Sequence, residues 1–243
     1  LALEQELKDK QQKKSTASIV PNAPYTMSRE LLQLIDGYAS KNNSTISIHN
    51  QESPGEDELF VSLSGPLFDL FKELGFDTGF FRQTHVNALR STLPHLLNAS
   101  KILFVHNTYT SREDILWAEE QVKKTGRPTE IYWCTCPNAN LYIENRLLDY
   151  SNFLDTSSKM TVGTDSLASN RSLSVLDELK TISNYNPSIS LQTLLTWATK
   201  NGADFLGLPQ LGTIEGGKKP GLNLLKKISD LKISAETEVV KLV

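Results

Sequence analysis

The sequence predicts an α/β protein built from parallel strand–helix units. Three observations carry that reading. Five short apolar runs of buried-strand type recur along the chain, helical patterns of 3–4 spacing fall after most of them, and Gly, Asn and Ser punctuate the joins. The composition agrees: 39% hydrophobic and 22% charged residues supply a real core and exclude a disordered chain. A length of 243 residues allows one large domain or two small ones.

The first run is Ser18–Pro21, expected as a strand over 17–21. A helix follows from about Ser28 to Ser40, with Ser28 as N-cap, Leu31, Leu32 and Ile35 on its apolar face, and Asn42-Asn43 as its stop. The second run is Thr45–His49. The stretch to the third run, Lys101–His106, is too long for one plain strand–helix unit and predicts inserted helices, Gly65–Leu74 foremost. Ser111 caps the next helix, which carries Ile115, Leu116 and Val122 and stops at Gly126. Glu130–Cys134 is the fourth strand and Met160–Asp165 the fifth. Helices are expected over Leu173–Ile182 and over Leu191–Thr199, the latter capped by Ser190 and stopped by Asn201-Gly202. Leu211–Leu225 reads as hairpin material and Glu238–Val243 as an alternating tail.

The net charge of −3 gives no global field for nucleic acid or an anionic membrane. No uncharged apolar stretch reaches the roughly 18 residues of a spanning helix. No leader pattern opens the chain, since Leu1-Ala2-Leu3 runs into polar Glu4–Lys14. Cys134 and Cys136 are expected on opposite faces of a strand, hence unbridged, and a reducing cytoplasmic setting follows.

Position is the informative feature. Three strands end in metal-ligand residue types: Ile48-His49, Val105-His106 and Thr164-Asp165. Sites of parallel α/β folds lie at the C-terminal ends of the strands. One such histidine alone reads as an ordinary loop residue; two histidines and an aspartate at equivalent points read as a metal site. Imidazole nitrogen and carboxylate oxygen suit Zn²⁺ or Fe²⁺ with an open position for water. Glu52, three residues past His49, is either a proton carrier or the solvated start of the acidic stretch Glu52, Glu56, Asp57, Glu58.

Five segments together resemble the amidohydrolase superfamily, in its deaminase and chlorohydrolase branch. They are Pro21–Thr26, Ile48–Glu52, Val105–Thr108, Cys136–Leu141 and Gly163–Asn170, and the likeness runs from Ser18 to Leu225. The resemblance implies a metal-dependent (β/α)₈ TIM barrel with a small β-sandwich. This chain would hold about strands 4 to 8 of that barrel as residues 1–210, and a returning sandwich strand and tail as residues 211–243. It further implies His49 as metal ligand, Glu52 as proton shuttle, His106 as metal ligand or contact to water and substrate, and Asp165 as metal ligand and base. Ser169 and Asn170 would shape the rim, Asn170 alternatively capping the next helix. The implied activity is hydrolysis of a non-peptide C–N bond, the deamination of an amino-heterocycle or nucleoside-like small molecule; separately, the open edges of a partial barrel lead to the expectation of a homo-oligomer.

Two departures accompany the likeness. The family opens with His-x-His, whereas the histidines here are His49, His85, His95 and His106. Asn22 stands where the family commonly has His. The chain is therefore expected to be a C-terminal fragment, and a binding or assembly module without turnover is the competing reading. His85 and His95 read as surface and structural residues. Trp117, Trp133 and Trp197 read as core, and Lys218-Lys219 and Lys226-Lys227 as solvated charge.

Overall fold

The computed structural model describes residues 17–243; the polar Glu4–Lys14 segment lies outside them. The chain divides into two compact units, one running to Val105 and resuming over Tyr109–Ile131, the other comprising His106–Thr108 and Tyr132–Val243.

In the first unit, α1 (Arg29–Asn42) begins where Ser28 Oγ accepts the Leu31 N–H, and ends at Asn43 in the left-handed region at φ 49°. Strand β1 (Ile46–Asn50) buries Ile46, Ile48 and Asn50 in alternation. Three helices then fill the long insertion: α2 (Pro54–Ser62), α3 (Pro66–Glu73) and α4 (Ala88–Thr92). Strand β2 (Lys101–His106) buries Ile102, Phe104 and His106 on one face, and α5 (Arg112–Lys124) starts from the Ser111 capping box. Leu59, Leu89, Leu93, Ile102 and Phe104 are fully buried among the core side chains.

The second unit holds most of β3 (Glu130–Thr135), then α6 (Pro137–Glu144), α7 (Tyr150–Asp155) and β4 (Met160–Val162). Helices α8 (Val175–Tyr185), α9 (Leu191–Ala198) and α10 (Lys200–Phe205) follow. β3 and β4 pair in parallel with Trp133 opposite Met160 and Cys134 opposite Thr161. Trp133 packs edge-on against Phe153 at 5.6 Å, and Tyr150 stacks on Trp197 at 5.9 Å. The sheet order is β1-β2-β3-β4, the succession of a partial barrel.

Several expectations require correction. Ser18–Pro21 forms no strand; the segment meets β1 through the His49 N–H donated to Asn22 O at 3.0 Å, and Pro21 brings no N–H to a ladder. The C-terminal hairpin pairs β5 (Asn223–Lys226) with β6 (Glu238–Lys241), leaving residues 211–222 outside regular structure. Leu31 and Leu116 are exposed and Trp117 is half-buried, with the Arg90 guanidinium 5.5 Å from its ring centre. Asn201-Gly202 does not stop the helical run; the break falls at Thr199, and α10 continues through both residues.

Candidate active site

His49 and Glu52 lie in the first unit. His49 Nδ1 lies 2.6 Å from Asn22 O, so Nδ1 carries the proton and Nε2 is the nitrogen with a lone pair. Asn22, the position that departs from the family, thus acts here through its main-chain carbonyl. After β1 the chain turns sharply at Gln51, φ 45°.

That turn is held by a carboxylate. Glu56 Oε2 accepts the Gln51 N–H at 2.9 Å, and Oε1 accepts the N–H groups of Glu52 at 2.8 Å and Ser53 at 3.3 Å. Glu56 is 1% exposed, so it is not part of a solvated acidic run. Burial pushes its carboxyl up to about 7 against those hydrogen bonds, with the Glu52 and Asp57 charges adding to the rise. Asp57 accepts the Ala88 N–H at 2.9 Å and the Gln51 side-chain amide at 3.1 Å. Burial, then the Glu56 and Glu52 charges, raise the Tyr25 phenol to about 12, which keeps it a hydrogen-bond donor at neutral pH.

Within the second unit, His106 and Asp165 present a nitrogen and a carboxylate oxygen within 4.8 Å of each other. Both have left-handed backbone conformations, φ 75° and 55°. His106 is buried and its Nδ1 lies 2.8 Å from Asn140 Oδ1, which assigns Nδ1 as donor and Nε2 as the lone-pair nitrogen. Asp165 is exposed, and its Oδ2 accepts the Ser169 hydroxyl at 2.6 Å.

Asn170 does not cap the next helix; Ser174 does, accepting the Asp177 N–H. The Asn170 amide instead donates to Thr164 O at 2.7 Å and to Glu178 Oε1 at 2.6 Å. Glu178, fully buried, also accepts the Asn138 N–H and side-chain amide. Burial raises its carboxyl above the usual range. Asn140, Asn138, Glu178 and Glu56 were not found by sequence reasoning. The short spacing Asn138-x-Asn140 was the available signal for the first two.

His85 is exposed at φ 59°, and His95 lies in a 3₁₀ turn with Nδ1 3.4 Å from the Gln33 amide. Cys134 and Cys136 are buried and unbridged as expected, yet they do not face opposite ways. β3 ends at Thr135, so Cys136 leaves the alternation, and both sulfurs pack against Gly163.

The amidohydrolase family model matches residues 2–243. The chain is 29% identical over 225 residues to adenosine deaminase of Helicobacter pylori, covering 90% of this chain and 52% of that protein. It is 31% identical over 214 residues to aminodeoxyfutalosine deaminase of Nitratiruptor sp., covering 86% and 48%. Among solved structures, H. pylori aminofutalosine deaminase in complex with methylthio-coformycin superposes with TM-score 0.78 at 27% identity, covering 90% of this chain and 52% of that one. The chain spans about half the length of the curated relatives it matches.

Proposed function

The chain belongs to the amidohydrolase family, and from that premise we propose that its protein hydrolyses a C–N bond, deaminating a nucleoside-like small molecule. The observation that carries the proposal is the His106–Asp165 pair, a buried imidazole oriented by Asn140 beside a carboxylate oriented by Ser169. The deaminase names of the relatives point the same way.

A nitrogen and oxygen donor set of this kind fits a divalent cation such as Zn²⁺ or Fe²⁺. We assign His49, His106 and Asp165 to hold it. Bound there, the cation would supply a water acidic enough to deprotonate near neutrality. Asp165 would accept a proton from that water at a carboxylate oxygen. Glu52 would carry a proton to the departing nitrogen, which leaves as ammonia. Glu56 holds the Gln51–Ser53 turn and so positions Glu52. In this reading residues 1–210 are the barrel part and 211–243 the sandwich strand and tail, and the protein is a cytoplasmic homo-oligomer.

Metal analysis and ammonia release from a panel of aminopurine nucleosides, measured on the full gene product, test the proposal. Stoichiometric zinc or iron with turnover of at least one nucleoside is the expected result. A metal-free, inert product would leave the binding-module reading in its place.

A further inference from the structure

The two cysteines play no part in the reaction proposed above, yet the fold has brought them together. A Cβ built at Gly163 would stand 3.0 Å from Cys134 Sγ and 3.3 Å from Cys136 Sγ, so both sulfurs occupy the space a larger residue would need. The strand ends that frame them are fixed, because the Gly163 N–H donates to Thr135 O at 2.9 Å. The Cys134 thiol lies 3.8 Å from Thr135 O, and Cys134 and Cys136 are 6% and 2% exposed. The Cys134 thiol and burial hold the Cys136 proton well above the usual thiol range, whereas the Cys136 side chain beside it draws the Cys134 thiol below that range.

We propose that Cys134 and Cys136 form a bis-thiolate site for a soft, two-coordinate divalent cation, separate from the nitrogen and oxygen ligands of the proposed reaction. Donor softness separates the two sites: thiolate sulfur selects thiophilic cations, whereas imidazole with carboxylate suits zinc and iron. Charge selects among soft cations. Hg²⁺ binding forms two S–Hg bonds, releases two protons to solvent and changes no oxidation state, leaving a neutral complex. Cu⁺ on the same pair would leave a net negative charge, buried near the Asp165 and Glu178 carboxylates.

The sequence makes the test clean, since these are the chain's two cysteines. Hg²⁺ is titrated into the chain and followed by the sulfur-to-mercury absorption band. Iodoacetamide and intact-mass measurement then count the remaining thiols. The expected result is a band saturating at one equivalent, with both thiols protected. C134S and C136S should each lose the one-equivalent end point. G163A keeps both thiols but drives a methyl against them, and should weaken binding. Should either serine variant fail to fold by circular dichroism, thiol protection in the native chain decides the matter. One thiol still alkylated at one equivalent, or the band retained in C134S/C136S, overturns the site.

Discussion

Asp165 is exposed but not loose, because the Ser169 hydroxyl holds one of its oxygens and leaves the other for a ligand or a proton. Asp165→Ala in the full gene product is expected to abolish turnover and lower the bound metal. Glu52→Gln should retain metal and lose about 10²–10⁴-fold in turnover, the usual worth of a positioned acid–base group. Normal ammonia release by the Gln variant would remove Glu52 from the mechanism. Glu56 carries a separate prediction, in stability. Its folded carboxyl lies at about 7 against an ordinary 4.5, so the folded state binds the extra proton. The resulting stabilisation is complete below pH ~4.5 and is lost as pH rises through about 7, on the order of 3 kcal/mol in all. Melting temperature should therefore fall between pH 5 and 7.5, and Glu56→Gln should flatten the slope. An unchanged slope in that variant would assign the effect to another group.

At the scale of elements, α6 orients the imidazole, since it carries Asn140 to His106 and Asn138 to Glu178. Asn140→Ala should cost about 10–100-fold in metal affinity, as loss of a ligand's hydrogen-bond partner does. Affinity equal to the native protein's would show that the His106 ring is oriented by other groups. Legibility in the sequence divides along the same line. The helix starts at Ser28, Ser111 and Ser190 were readable because a cap is a local bargain between one side chain and an N–H three residues on. His106 ends β2 as its apolar run indicated, whereas His49 stands one residue before the end of β1 and Asp165 lies three residues beyond β4, which stops at Val162 rather than running to Asp165. Ser18–Pro21 was misread because a strand needs a partner ladder, and apolar character alone does not provide one. The cysteine faces were misread because the strand stops one residue before Cys136. Glu56, Asn140 and Glu178 were illegible because their roles depend on where a turn, a ring or a second loop arrives in space.

For the whole molecule, strand order and ligand count lead to one expectation. The sheet β1-β2-β3-β4 has β1 and β4 at its edges, and a barrel removes such edges only by closing on itself. Edges of apolar parallel strands that no further strand covers among the described residues favour pairing with another chain. The described residues also expose large apolar side chains, among them Leu34, Leu167 and Tyr142 at 72%, 64% and 73%. The proposed ligands from this chain are His49, His106 and Asp165, and its sequence holds no His-x-His pair. With His106 turned to water and substrate, two ligands remain, fewer than the three well-placed protein ligands of a tight catalytic site. The isolated 243-residue chain is therefore expected to self-associate, to bind Zn²⁺ weakly and to show little or no turnover. Light scattering for mass, zinc titration against a chromophoric chelator, and ammonia release from aminopurine nucleosides check the three parts. A zinc-tight monomer with robust turnover would show that these residues alone complete the site, and the edge argument would fall with it.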